Sequence, residues 1–207
     1  MEGIEVNISL KTLYNYINKE IFIKLNRTHL CYRKIGGRSI EERALSVLER
    51  NEIGYWEMDT VVGSRAKGVC LLVLTERLSR KEIILKLKDK TSQSVIKSLQ
   101  YLKKQMSRKA LNQFKTITTD NGSEFMNAEA IETELGVKMF YAHSYCSWER
   151  GSNENNNKWI RRFLPKGKSL DKVTTKELKR IENWMNNMPR KIFNGKTANE
   201  IYQENVS

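Results

Sequence analysis

Three strand-like runs follow one another closely in the first half of the chain and limit the folds open to it. The runs cover residues 55–63, 69–78 and 81–88, each rich in β-branched or apolar residues and separated by short polar turns. Connections this short favour an antiparallel meander, because a parallel crossover needs a dozen or more residues.

Helical and strand patterns alternate after the meander. An amphipathic helix is predicted over 91–106, a strand over 114–119, a helix over 127–135, a strand over 137–142 and a helix that opens near Glu154. Three strands followed by helix, strand, helix, strand and helix is the order of a ribonuclease H-like α/β fold. We therefore expect a mixed central sheet with helices on both faces.

The amino-terminal part predicts a separate small helical element. Ser9 is a good N-cap, and the apolar residues behind it recur at helical spacing to about residue 19. Lys11 and Asn15 lie on its polar face and are candidate DNA contacts, although any surface helix shows the same pattern. The predicted organisation is a remnant of a helix-turn-helix DNA-binding region over 1–26, a linker over 27–50, and a catalytic core with carboxy-terminal helices over 51–207.

The net charge of +13 and a sequence pI near 9.6 indicate a polyanionic partner, since neutralised phosphates release condensed counterions. Nucleic acid and an anionic membrane surface both fit this charge. No apolar run reaches the roughly 18 residues of a spanning helix, and the first residues carry no export pattern. We expect an intracellular protein of the cytoplasm or nucleoid, without a membrane partner.

The three cysteines are Cys31, Cys70 and Cys146, and no two of them form a Cys-x-x-Cys pair. Their odd number and wide spacing indicate neither a disulfide framework nor a zinc site. They are interpreted as reduced thiols that serve as small apolar residues.

Asp59 is the first candidate for catalysis. Trp56 and Met58 alternate with Glu57 and Asp59, so the two acids share one face of the predicted strand and the apolar side chains take the other. Taken alone, Asp59 also fits a solvated strand residue.

Asp120 is the second candidate and ends the strand predicted over 114–119. Asn121-Gly122 follows and predicts a sharp turn, from which the carboxylate projects beyond the strand. Asn-Gly often marks a hairpin, but here a helix follows, which favours a strand-to-helix turn at an active site. Asn121 and Glu124 are candidate supporting or DNA-contacting residues.

Glu154 is the third candidate and lies in the first turn of a predicted helix, with Ser152 as a reasonable N-cap. A capping acid at the positive end of a helix dipole, or an i, i+4 pair with Lys158, also explains it. Lys158 and Arg161 share its helix face, which suits an acid beside a bound phosphate backbone. The predicted phosphate contacts are Arg150, Lys158, Arg161 and Arg162.

Together the three carboxylates predict one acidic cluster that holds two divalent cations over a phosphodiester. The blocks around them resemble the DDE transposases of bacterial insertion sequences, specifically the insertion sequence 30 family. The matching blocks are 8–17, 39–43, 54–63, 119–125, 148–155, 163–167, 189–191 and 196–197. The Trp-Glu-x-Asp-Thr and Asn-Glu-Asn blocks are the specific ones, whereas Asp-Asn-Gly is shared widely among integrases.

The resemblance implies an acidic triad of Asp59, Asp120 and Glu154, with magnesium as cofactor and manganese as its expected substitute. It also implies cleavage and strand transfer at the element's terminal repeats, joining to target DNA, and action as a homo-oligomer. The chain departs from the family pattern at Ala44, at Asn157-Lys158, at Met188 and at Ala198, and only eight residues precede Ser9. None of these departures removes a carboxylate.

Two further interpretations remain open at this point. A truncated copy would bind DNA, or inhibit an intact transposase, without reacting. A ribonuclease H-like nuclease of host origin would cleave DNA without joining it and without preference for repeat ends. The intact carboxylates favour a working enzyme, whereas the short amino terminus favours the truncated copy.

Overall fold

The computed structural model describes residues 9, 11–12, 15–16, 37–64, 68–143, 149 and 151–206, and for 151–154 it describes the backbone alone. The chain divides into two compact units, residues 1–34 and residues 35–207. In the first unit Lys11, Thr12, Asn15 and Tyr16 are helical. The Ser9 hydroxyl accepts a hydrogen bond from the Thr12 backbone N–H at 3.1 Å, as an N-cap does. The rest of the predicted 9–19 helix lies outside the described residues.

The second unit is built on one six-stranded sheet. Its strands are β1 (Arg38–Ser39), β2 (Tyr55–Val62), β3 (Cys70–Glu76), β4 (Glu82–Leu87), β5 (Thr116–Thr119) and β6 (Lys138–Tyr141). The spatial order is β1-β6-β5-β2-β3-β4. Strands β2, β3 and β4 are antiparallel, whereas β5 pairs parallel with β2, β6 with β5, and β1 with β6. The predicted mixed sheet with an antiparallel meander is confirmed.

Helices fill the connections between the strands and cover the sheet. They are α1 (Ser46–Glu49), α2 (Ser92–Gln105), α3 (Arg108–Leu111), α4 (Ala128–Leu135), α5 (Gly151–Phe163), α6 (Thr175–Asn187) and α7 (Ala198–Val206). Single 3₁₀ turns lie at Ile40–Glu42, Ser123–Phe125 and Lys191–Phe193. Among the described residues no helix is long and apolar enough to cross a membrane.

The helices begin where the sequence offers caps. Thr91, Asn127 and Thr174 each accept a hydrogen bond from a backbone N–H in the first turn of α2, α4 and α6. Gly136 ends α4 in the left-handed conformation at φ 70°, which glycine adopts without a Cβ clash. The sequence predicts Ser152 as the cap of α5, but that helix already begins at Gly151, so Ser152 lies inside its first turn.

The sheet is buried on both faces, which explains why every residue of β3 is buried. On one face Met58, Leu72 and Leu74 pack in a single core with side chains of α2 and α4. On the other face Val61 and Val73 pack in a second core with side chains of α5 and α6. The alternation of apolar residues along β2 and β3 thus supplies both cores.

Residues 38–49 carry β1, a 3₁₀ turn and α1, although their sequence pattern predicts a linker. Arg38 and Ser39 lie opposite Phe140 and Tyr141 of β6, so this segment forms the edge of the sheet. Cys70 is a buried free thiol whose pKa burial raises to about 11. Cys31 and Cys146 lie outside the described residues.

Candidate active site

Asp59 lies on β2, and Asp120 follows the end of β5, the parallel strand beside β2. Glu57 of β2 is paired with Thr118 of β5. Asp59 and Asp120 each follow two residues later, so this register directs them to neighbouring positions at the same end of the sheet. Asp120 directly follows the last residue of β5, at the carboxyl end where open α/β sheets bind their ligands.

The turn after β5 holds Asp120 in place and leaves little room for a side chain at Gly122. The Gly122 N–H donates to Asp120 Oδ1 at 2.9 Å, and the Asn121 amide donates to the Ala142 carbonyl at 2.9 Å. A Cβ on Gly122 would lie 2.6 Å from Glu124 Oε2 and 2.9 Å from Asp120 Oδ1. An added side chain at Gly122 would therefore displace at least one of the two carboxylates.

Asp59 accepts hydrogen bonds at both of its oxygens. The Thr60 N–H donates to Oδ1 at 2.8 Å, and the side-chain amide of Asn157 donates to Oδ2 at 2.9 Å. Asn157 belongs to α5, which covers this face of the sheet. The carboxylate is thereby oriented by its own strand and by the helix above it.

Glu124 is a buried carboxylate near Asp120. Its Oε1 accepts a hydrogen bond from the Thr60 hydroxyl at 2.7 Å and lies 3.2 Å from Lys90 Nζ. Among the described residues no donor reaches its Oε2. The sequence pattern singles out Glu124 but not Lys90, because a lysine in a polar loop before a helix gives no sign of a partner 34 residues away.

Glu154 lies in the first turn of α5, and the placement of its side chain is outside the described structure. Residues three apart share one side of a helix, so the Glu154 position is on the side from which Asn157 reaches Asp59. In the sequence, Asn157 stands out only as a departure from a family pattern. Its long-range contact is one of those that hold α5 on the sheet, at Asp59.

A family model described as the integrase core domain matches residues 49–147. The chain is 34% identical over 224 residues to the transposase for insertion sequence element IS4351 of Bacteroides fragilis, a match that covers 100% of this chain and 67% of that protein. It is 34% identical over 175 residues to transposase InsI for insertion sequence element IS30C of Escherichia coli, covering 84% of this chain and 44% of that protein. The chain belongs to the transposases of the insertion sequence 30 type. A putative integrase of Spiroplasma virus SpV1-R8A2 B is 26% identical over 98% of the chain and 66% of its own length.

The transposase chain thus spans between 44% and 67% of the length of these relatives. The family assignment agrees with the resemblance that the motifs indicated. It also covers the parts of the chain outside the integrase core model, because the Bacteroides match extends over the whole sequence.

The basic residues predicted to contact DNA have different surroundings in the transposase. Lys158 and Arg162 are exposed on α5, and the Arg162 guanidinium carbon lies 4.1 Å above the centre of the Trp159 ring. Arg161 is only half-exposed and donates to the Val62 carbonyl at 2.8 Å, so it also fastens α5 to the end of β2. Arg150 lies outside the described residues, and Lys11 and Asn15 are exposed in the first unit.

Proposed function

We propose that this chain carries the catalytic core of a transposase that cleaves DNA at the ends of an insertion sequence and joins the ends to target DNA. Asp59, Asp120 and Glu154 would be the catalytic residues. The observation that carries the proposal is the parallel register of β2 and β5, which directs Asp59 and Asp120 to one end of the sheet, together with the hydrogen bond by which Asn157 fastens α5 to Asp59.

The donor atoms of the site suit a hard divalent cation such as Mg²⁺ or Mn²⁺. Such cations prefer carboxylate and carbonyl oxygens, and this site offers Asp59 and Asp120, with Glu154 as the proposed third ligand. Oε2 of Glu124 and Oδ1 of Asn157 are buried acceptors without a donor among the described residues. No group of three metal-ligating side chains forms within the described part of the chain, so the proposed metal set depends on Glu154.

The protein's own residues have defined tasks in this proposal. Asp59, Asp120 and Glu154 would hold two divalent cations, which supply activation of the attacking hydroxyl and stabilisation of the leaving oxygen. Thr60 and Asn157 fix the orientation of the Asp59 carboxylate. Lys90 offsets the charge of buried Glu124, and the exposed Lys158 and Arg162 would bind DNA phosphates.

DNA would be the partner in two forms, the terminal repeats of the element and the target. Because two ends must be joined, the active form would be a homo-oligomer, working in the cytoplasm or nucleoid where DNA is present. The basic surface supports this proposal, since the net charge of +13 favours a polyanion.

The test compares the wild type with Glu154→Gln on two labelled DNAs in Mg²⁺ or Mn²⁺. One DNA carries the presumed element ends, and the other is a branched DNA that mimics the joined product. Joining exchanges one phosphodiester for another and is therefore reversible. The reverse reaction on the branched DNA needs the catalytic core but does not need full recognition of the element ends. Wild-type activity with both is expected, and Glu154→Gln is expected to lose it by at least about a hundredfold.

Glu129→Gln, an exposed change of the same kind on α4, serves as the matched control and should retain activity. DNA binding without reaction on either substrate would instead support a truncated copy that only binds. Cleavage without joining, and without preference for element ends, would support a nuclease.

A further inference from the structure

A row of buried polar side chains crosses the sheet, and on β2 and β5 it lies two residues before the two aspartates. Glu57 lies between Thr118 and Thr75, and Thr75 lies opposite Glu82, so the row runs through β5, β2, β3 and β4. All four side chains are fully buried. They share the sheet face of Asp59, which α5 and α6 cover. Burying so many polar groups is costly unless each has a partner.

The β4 end of the row is bound to α5 through Asn156. The Asn156 amide donates to Glu82 Oε1, and the Thr75 hydroxyl donates to the same carboxylate at 2.9 Å. On its other side the Asn156 Oδ1 accepts from the Arg190 guanidinium at 3.3 Å. Asn156 is 3% exposed, and both ends of its amide are used.

Arg190 in turn donates hydrogen bonds to two other parts of the fold. Its NH2 group donates to the Met185 carbonyl near the end of α6 at 3.2 Å, and to the Arg80 carbonyl in the β3–β4 turn at 3.3 Å. A planar guanidinium presents its donors in a rigid fork, whereas the ammonium of lysine is a point charge on a flexible stem. Glu82, Asn156 and Arg190 are hereafter called the Asn156 clamp.

The clamp and the Asp59 contact hold α5 on two different sides of the helix. At 3.6 residues per turn, Asn156 and Asn157 diverge by about 100° around the helix axis. The Glu154 position and the Arg161 anchor lie on the Asn157 side of the buried stripe, whereas Asn156 lies on the other. Two anchors on opposite flanks of one stripe fix the rotation of a helix, which a single contact does not.

We propose that the Asn156 clamp consists of positioning residues, which set the rotation of α5 and so the place of Glu154 in the active site. The proposal rests on the proposed function, in which Glu154 is a metal ligand. A side-chain group that lies about 6 Å from the helix axis moves by about 3 Å when the helix rotates by about 30°. Metal–ligand distances tolerate errors of only about 0.2 Å, so loss of the clamp should weaken metal binding.

The test is Asn156→Ala, with Asn186→Ala as its matched control. Asn186 is also 3% exposed and binds the backbone N–H and carbonyl of Glu82, but its two hydrogen bonds join β4 to α6 rather than to α5. Both variants remove a buried amide and are expected to lower the melting temperature by similar amounts. Only Asn156→Ala is expected to raise the Mg²⁺ concentration for half-maximal reaction on the branched DNA, by about tenfold or more.

A second readout requires no activity. Hydrogen exchange of the peptide that covers α5 should accelerate in Asn156→Ala and remain unchanged in Asn186→Ala. Arg190→Lys, which retains the charge and loses the forked contacts, should shift both readouts in the same direction. This variant also serves if Asn156→Ala does not fold.

The outcomes separate the clamp from the proposed function. An active wild type whose Mg²⁺ dependence and α5 exchange are unchanged in Asn156→Ala and Arg190→Lys would overturn the clamp. An equal shift in Asn186→Ala would also overturn it, because general destabilisation would then explain the effect. A wild type without metal-dependent reaction would overturn the proposed function. Faster hydrogen exchange of α5 in Asn156→Ala, but not in Asn186→Ala, would then still support the part of the proposal in which the clamp holds α5 in place.

Discussion

Gly122 shows how closely the carboxylates of this site are packed around the backbone. A Cβ built on it would lie within 3 Å of a carboxylate oxygen of both Asp120 and Glu124, and its N–H donates to Asp120. The glycine of the Asp-Asn-Gly block is therefore explained by close approach of two acids, since its backbone needs no left-handed conformation here.

Gly122→Ala is expected to push at least one of these carboxylates aside, because the added methyl would lie 2.6 Å from Glu124 Oε2 and 2.9 Å from Asp120 Oδ1. Displacement of about 1 Å at a reacting centre costs about a hundredfold in rate, and overpacking costs about 1–3 kcal/mol of stability. Rates on the branched DNA and urea unfolding measure the two effects.

Gly136→Ala is the control for this prediction. That residue has φ 70° and no neighbour within 4 Å of an added Cβ, so alanine strains the backbone far from the site. It should lose stability and retain activity. Equal activities for the two variants, measured on folded protein, would contradict the steric argument.

At the scale of elements, the strands and the long helices were predictable because their patterns are local. The alternation in β2 and the apolar spacing in α2 are set by residues a few positions apart, so periodicity alone located both elements. The short strand β1 has only two residues and no period to detect. It exists because β6 offers it an unpaired edge.

The contacts that complete the site are long-range and therefore left no local sign. Asn157 reaches Asp59 across 98 residues, and Asn156 reaches Glu82 across 74. In the sequence, the run of asparagines at the start of α5 is only a compositional bias. In the structure two neighbours in that run have different tasks, one at Asp59 and one in the clamp.

Glu82 gives the buried row a dependence on pH. Burial raises its pKa well above the ordinary value, and nearby Glu57 raises it further, while Thr75, Arg190 and Asn156 act in the opposite direction. The folded state therefore keeps a proton that the unfolded chain releases above about pH 4.3. The destabilisation of the folded state by this buried carboxyl is absent below that pH and grows as the pH rises toward the folded pKa.

Glu82→Gln should consequently gain stability relative to the wild type between pH 5 and pH 8, as measured by urea unfolding at both values. Glu200→Gln is the control, for which no difference between pH 5 and pH 8 is expected. The backbone N–H and hydroxyl of Thr197 lower the pKa of Glu200, so the wild type holds its advantage above the unfolded pKa and loses it as pH falls through the folded one. A pH-independent difference for Glu82→Gln would show that its carboxyl does not retain the proton.

For the whole molecule, the charge surplus predicts how DNA binding responds to salt. With a net charge of +13, phosphate contacts should dominate affinity, so log K should fall steeply and linearly with log salt concentration. Replacing exposed Lys158 and Arg162 by alanine should reduce the slope by about 0.9 for each DNA phosphate that the variant no longer neutralises. Titrations of labelled DNA at several salt concentrations measure this slope.

Lys191→Ala is the control. Like each α5 substitution it removes one exposed positive charge, but from the 3₁₀ turn after α6. An unchanged slope in the Lys158 and Arg162 variants would remove α5 from the DNA-binding surface. A slope near zero in the wild type would contradict the polyanion argument itself.

The position of Arg190 has a consequence for how the protein is made. A ribosome releases Asp59 first, then Asp120 and α5, and only later the segment with Arg190 that grips Asn156. The strands that carry the two aspartates can pair while this segment is still being synthesised. Until it emerges, α5 lacks the anchor on its Asn156 side, so the last contact that holds this helix forms only after the segment with Arg190 has been made.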